Sequence, residues 1–187
     1  MNRKVSNFVY GRRGELVAVP LIYALLSGRY EYENNYLVWG LAILVFAAGF
    51  AIRLWAQQHL HFRLRMKMKL TNTGPYRLIR NPIYIGNTLI CVGVIIASEM
   101  LWMIPIELLV CCLVFSLTVA HEERVLTEKY GDEYITFMQQ IPRWIPRLSS
   151  LSKIEWSPAF LRESMRAEAY NLLFLIPPIL KEILHKG

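Results

Sequence analysis

The sequence predicts an all-α fold, a polytopic membrane bundle of about four transmembrane helices, and three observations carry that expectation. The 187 residues are 55% hydrophobic, with a mean hydropathy of +0.31, more apolar than a soluble domain of this size. Long apolar runs recur along the chain. The charges between those runs are segregated by sign, as they are in the loops of membrane proteins.

The first run, residues 15–28, is apolar but short, is interrupted by Pro20, and follows Arg12 and Arg13. It reads as a first span. The second, residues 36–56, carries a single charge, Arg53, near its end. At 1.5 Å per residue it can cross a hydrocarbon core of roughly 30 Å. Residues 83–98 and 100–120 are apolar apart from Glu107 and are separated by little more than Ser98 and Glu99, so they read as a tight antiparallel hairpin.

No acidic residue lies between Glu33 and Glu99, whereas Arg3, Lys4, Arg12 and Arg13 precede the first span and Arg63, Arg65, Lys67, Lys69, Arg77 and Arg80 lie between the second and third. Four spans with both termini cytoplasmic put every basic segment on the cytoplasmic side. The net charge of +7 then reflects topology and attraction to anionic headgroups rather than nucleic acid. The compartment is a bacterial or archaeal cytoplasmic membrane, or the endoplasmic reticulum of a eukaryote.

Cys91, Cys111 and Cys112 lie inside apolar helices, and the adjacent pair points about 100° apart around its helix, so they read as small buried hydrophobes. No disulfide or metal framework is expected. His59, His61 and His121 have no further ligands at a metal-binding spacing, and His185 reads as a solvated tail residue.

His59 to Leu70 alternates polar and apolar residues without exception, which predicts an extended segment on the bilayer interface with Arg63, Arg65, Lys67 and Lys69 toward phosphates. Asn81-Pro82 predicts a helix start, because Asn can cap free N–H groups and Pro suits the first helical position. Those N–H groups, with Arg80 beside them, favour an anionic ligand group. Past the fourth span the helix is expected to run on through His121-Glu122-Glu123, where two adjacent carboxylates call for a cation nearby. From Leu151 the chain reads as a separate tail, residues 151–187, with Ser157-Pro158 as a helix start. Pro177-Pro178 interrupts its apolar part, so it reads as an interfacial or re-entrant helix covering the site, or as a partner-binding helix.

In order and spacing, Gly74-Pro75-Tyr76, Arg80-Asn81-Pro82-Ile83-Tyr84-Ile85-Gly86, the apolar hairpin, Glu122-Glu123, Tyr130-Gly131-Asp132-Glu133-Tyr134 and Pro142-Arg143-x-x-Pro146 resemble the isoprenylcysteine carboxyl methyltransferase and phospholipid methyltransferase superfamily. The resemblance covers about residues 55–147 and implies a methyltransferase-like transmembrane domain over residues 1–150. It implies an integral membrane enzyme of lipid metabolism, a transferase that moves a methyl group from S-adenosyl-L-methionine to a lipophilic acceptor entering from the bilayer. It places cofactor contacts at Lys69, Leu70, Thr71, Tyr76, Arg80, Asn81, Pro82, Ile83, Tyr84 and Glu122, in a cytoplasmic site formed by the last hairpin and its flanking segments. A sulfonium cofactor with a free ammonium suits a carboxylate and aromatic faces, and its own carboxylate suits Arg80 at a helix mouth.

If the acceptor must lose a proton, Glu123, Tyr84 and His121 are the candidate catalytic residues. Relatives acting on prenylated cysteine usually carry His at the place of Asn81 and an arginine at the place of Thr118, which weakens carboxyl methylation as the reaction here. A phospholipid amine or another hydrophobic molecule fits better. Two other readings stand beside this one: an NADPH-dependent membrane reductase related to sterol reductases, and a non-catalytic membrane binding module.

Overall fold

Two long apolar helices fix the frame of the molecule, and the shorter elements pack on them. The computed structural model describes residues 3–27, 35–65, 70–147 and 160–186, and every regular element among them is helical. In chain order these are α1 (Arg3–Leu26), α2 (Asn35–Arg65), a short 3₁₀ turn (Gly74–Arg77), α3 (Pro82–Ala97), α4 (Ile104–Tyr130), α5 (Asp132–Gln140), α6 (Leu161–Glu168), a 3₁₀ stretch (Ala169–Leu175) and α7 (Ile176–Lys186). The boundary near residue 150, Glu33 and the Ser157-Pro158 start fall outside the described residues.

Helix α2 and the stretch Leu101–Tyr130 are long and apolar enough to cross a membrane, while α3 is apolar but shorter. Their outer faces decide between a soluble core and a bilayer: Leu37, Leu41, Ile43 and Leu44 on α2 and Leu108, Leu109 and Leu113 on α4 are exposed. Leucine stripes of that extent find their solvent in lipid. The inner faces meet in one core that includes Val17, Leu21, Phe46, Ile90, Val94, Phe115 and Val119.

Helices α1 and α4 run antiparallel, with Arg3 beside Glu128 at one end and Tyr23 edge-on to Trp102 at the other, ring centroids 6.3 Å apart. Helix α1 starts well before residue 15, and its backbone breaks at Arg12 (φ −115°, ψ 16°). Pro20 stays inside it. Helices α2 and α3 also run antiparallel and touch backbone to backbone. A Cβ on Gly49 would lie 2.7 Å from the Gly86 carbonyl oxygen, one on Gly86 would lie 2.6 Å from Arg53 Cγ, and one on Gly93 would lie 2.9 Å from the Phe46 backbone nitrogen. Only glycine fits at such a crossing.

The structure corrects one expectation. His59–Arg65 is not extended, because these residues are the last turns of α2, while Met66–Lys69 lie outside the described residues. Adding residues such as Leu and Arg to an established helix needs no new nucleus, so the period-two pattern does not prevail. The described part of the tail packs beside the bundle, and its residues Tyr170, Asn171 and Phe174 line a cavity that also touches Tyr84 and Glu122. From Glu168, level with Arg53, the tail descends along α3 until Lys181 Nζ donates to the carbonyls of Ser27 at 3.4 Å and Ser98 at 3.3 Å, at the end of the bundle opposite to Arg3. The buried Arg53–Glu168 pair, with Nε 2.6 Å from Oε2, sets this path, since an arginine inside a bundle requires a partner.

Candidate active site

The start of α3, the far end of α4, the 3₁₀ turn and α5 converge on one cavity of about 410 Å³, within the usual range for small-molecule sites. Gly74 lets the entering loop turn: at φ +56° it is left-handed, and a Cβ there would strike the His59 ring at 2.1 Å. Pro75 and Tyr76 are thereby held in a buried turn. Gly131 (φ +55°) breaks α4 from α5, which swings Tyr134 and Phe137 of α5 over the cavity.

Pro82 begins α3 with Asn81 at the cap position, but the Asn81 side chain does not cap the helix. Its amide donates to the Arg143 carbonyl at 3.2 Å. The reason is a strap formed by residues 142–147. The Arg80 amide donates to the Pro142 carbonyl at 3.0 Å, and the Arg147 amide donates to the Leu78 carbonyl at 2.9 Å. The first-turn N–H groups of α3 are therefore left for a ligand.

The two adjacent carboxylates have separate partners. Glu122 accepts a hydrogen bond from the Tyr84 hydroxyl at 2.7 Å. Glu123 receives Arg80 Nη1 at 2.8 Å and Arg143 Nε at 3.1 Å on one oxygen, with Arg143 Nη2 on the other. Glu123 thus ties Arg80 and the 142–147 strap to α4, and the cation expected near the pair is supplied twice. Two polar atoms on residues lining the cavity are buried without a partner, Arg80 Nε and Thr71 Oγ1. Burying such atoms is costly unless a ligand bonds them.

Leu70, Thr71, Tyr76, Arg80, Asn81, Pro82, Ile83, Tyr84, Glu122, Glu123 and His121 all line this cavity; Lys69 lies outside the described residues. His121 stands at the rim, stacked on Tyr10 with centroids 4.3 Å apart and with Nδ1 2.9 Å from Asn7 Oδ1. Residues the sequence reading left without a role in the site are Tyr10, Leu60, Val125, Leu126, Tyr134 and Phe137. Tyr134 was already visible in the Tyr-Gly-Asp-Glu-Tyr run, whereas nothing in the sequence ties Tyr10 to a site more than 60 residues away. Burial, followed by the charge of Glu123, pushes the Tyr134 hydroxyl up to about 12, so it remains a neutral donor at the edge of the cavity.

A second cavity of about 600 Å³ adjoins the first and shares Ile83, Tyr84 and Glu122 with it as a common wall. Val17, Leu21, Ile90, Val94 and Phe115 line its apolar part. Arg13, Gln57, Asn87 and the tail residues Tyr170 and Asn171 line its polar part.

Residues 36–133, just over half the chain, match the phospholipid methyltransferase family. The chain is 27% identical to the nickel-cobalt-cadmium resistance protein NccN of Alcaligenes xylosoxydans xylosoxydans over 140 residues, covering 72% of this chain and 62% of that protein. It is 26% identical to the cobalt-zinc-cadmium resistance protein CzcN of Cupriavidus metallidurans over 155 residues, covering 80% and 70%. The chain thus spans less than two thirds of the length of NccN. No solved structure matches.

Proposed function

The chain belongs to the phospholipid methyltransferase family, and from that premise we propose that it is an integral membrane enzyme transferring a methyl group from S-adenosylmethionine to a lipophilic acceptor. The observation that carries the proposal is the pair of adjoining cavities with Tyr84 and Glu122 in the wall between them. The first cavity is aromatic and placed at a helix mouth, and the second joins an aliphatic wall of Val17, Leu21, Ile90 and Val94 to polar groups such as Arg13, Gln57 and Asn87, so the pair offers separate compartments for a cofactor and an amphipathic acceptor.

The residues present fit the cofactor. Arg80 Nε and Thr71 Oγ1 are buried without partners, and the α3 N-terminus is open to a carboxylate. Tyr76, Tyr134 and Phe137 offer ring faces, and Glu122 offers a negative charge to an ammonium or sulfonium. When bound, S-adenosylmethionine supplies an electrophilic methyl group. The protein's part is alignment, since a bound and oriented pair reacts as one molecule. Glu123 contributes by fixing Arg80 and the strap. Tyr84 and Glu122 are placed to take up a proton where the acceptor must lose one, while Glu123 and His121 are engaged in the clamp and the rim.

The acceptor is a phospholipid amine or another hydrophobic molecule with a compact polar end. Arg13 Nη1 bonds the Tyr10 carbonyl at 2.7 Å, and the other donors of that guanidinium remain for a headgroup anion. Thr118, fully buried, stands where carboxyl methylation would want a cation. The names of the relatives state resistance to metals and no acceptor, so they do not narrow this class. The site end faces the cytoplasm, because Arg3, Lys4, Arg12, Arg13, Arg77 and Arg80 gather there.

Thermal unfolding of the detergent-purified protein with S-adenosylhomocysteine tests the proposal, because a ligand bound only to the folded state stabilises it by about 2.7 kcal/mol at a hundredfold excess over Kd. The shift is expected in the natural protein and lost in Glu122→Ala. A shift with NADPH alone would favour a reductase, and no shift with either in folded protein a binding module.

A further inference from the structure

Midway along the α3–α4 interface, Cys91, Glu107 and Cys111 bring two thiols and a carboxylate oxygen within 4.8 Å of one another. All three are buried, at 7%, 0% and 1% exposure. Glu107 and Cys111 are one turn apart on the same face of α4, and Cys91 meets them from α3. Ligand sites in helix bundles are commonly built from such an i, i+4 pair and a residue on the facing helix.

A carboxyl group among apolar helices needs partners, and Glu107 has few. Its Oε1 accepts from the Cys111 thiol at 3.3 Å, a weak bond, and its Oε2 is buried without a hydrogen-bond partner. The contrast with Cys112, the next residue, is sharp: it is exposed on the other face. Cys91 also lines the second cavity, which gives the cluster a path toward the polar end of the bundle.

We propose that Cys91, Glu107 and Cys111 form an intramembrane binding site for a soft or borderline divalent d-block cation such as Zn²⁺ or Cd²⁺. Thiolates select such ions over Mg²⁺ or Ca²⁺. Tetrahedral coordination with metal–sulfur bonds of about 2.3 Å places two sulfurs roughly 3.8 Å apart, so small side-chain rotations close the observed spread. Binding displaces the thiol protons. Two protons leave for each dication that enters, so binding leaves the net charge of the apolar interior unchanged, Glu107 adds an oxygen ligand, and a fourth position remains for water or a small ligand. Affinity therefore falls as pH is lowered, because protons compete for the sulfurs. This site is independent of the methyl-transfer reading.

Co²⁺ is the probe, because thiolate ligation gives near-ultraviolet charge-transfer bands and tetrahedral geometry gives strong visible bands. Full-length reduced protein in detergent is titrated without oxygen, Zn²⁺ and Cd²⁺ are then added in competition, and melting by circular dichroism verifies folding of each variant. One equivalent of Co²⁺ is expected, displaced by either competitor. The charge-transfer bands are lost in the folded Cys91→Ser and Cys111→Ser variants, the visible bands change in Glu107→Gln, and Cys112→Ser behaves as the natural protein. The proposal is overturned by bands that persist in the Cys91→Ser/Cys111→Ser double variant or disappear in Cys112→Ser. Absence of bands in folded natural protein, or a Cys91–Cys111 disulfide in protein extracted with its thiols blocked, overturns it equally.

Discussion

Glu168 and Glu107 are both fully buried, yet their surroundings differ in kind. Glu168, where the tail meets α2, receives Arg53 Nε at 2.6 Å, Arg53 Nη2 at 3.0 Å and the Asn171 amide at 2.7 Å. Arg53 in turn bonds Asn87 and, at 3.0 Å, the Tyr170 hydroxyl. Glu107, where α4 meets α3, has only the thiols of Cys111 and Cys91 beside it and an oxygen without a hydrogen-bond partner. The difference separates two uses of buried charge. A carboxylate with its lone pairs occupied by the protein holds elements together, and one with a lone pair left over is arranged for something that binds. The mouth shows both uses side by side, with Glu123 enclosed by two arginines and Glu122 holding only the Tyr84 hydroxyl among its assigned hydrogen bonds.

Substitutions test this division. Glu168→Ala leaves Arg53 buried without its charge partner and should destabilise the protein by about 3–5 kcal/mol, seen as a lower melting temperature, with Arg53→Met/Glu168→Leu recovering much of the loss. Glu123→Ala frees two guanidinium groups that are less deeply buried, so its expected cost is about 1.5–3 kcal/mol. Proteolysis should then cut the 142–147 strap more readily. Tyr84→Phe removes one hydrogen bond from Glu122 and should weaken S-adenosylhomocysteine binding by about tenfold, near 1.4 kcal/mol, with smaller effects on melting. Glu107→Gln should change the melting of metal-free protein least, within about 1 kcal/mol, because it disturbs only weak bonds to thiols. If Glu107→Gln melted as low as Glu168→Ala, the division between holding and binding carboxylates would fail.

The sequence was most legible where a signal is local. The Asn81-Pro82 start, the apolar hairpin and the run of α4 past His121 are all where periodicity and helix-start chemistry put them, because each depends on a few neighbouring residues. The mouth residues Tyr76 to Tyr84 and Glu122 were legible through their order along the chain. The pairings that needed the fold were not. Arg53 was plainly an isolated charge, but its partner is 115 residues away. Cys91 and Cys111 looked like unrelated hydrophobes, because no spacing rule joins residues on facing helices. The end of α2 was misread because long basic side chains at alternate positions are equally compatible with a helix.

The glycine seam between α2 and α3 also constrains how the protein can move. At Gly49, Gly86 and Gly93 the opposing main chain or Cβ atoms lie too close for even a methyl group, so sliding or rotating one helix against the other would drive backbone into backbone. These two helices form a stiff strut that presents Arg53 of α2 and Tyr84 of α3 to the second cavity. Any breathing that admits a large molecule must come from the partners docked on that strut, namely α1 at its Arg12 break, α4, or the tail pinned at Glu168.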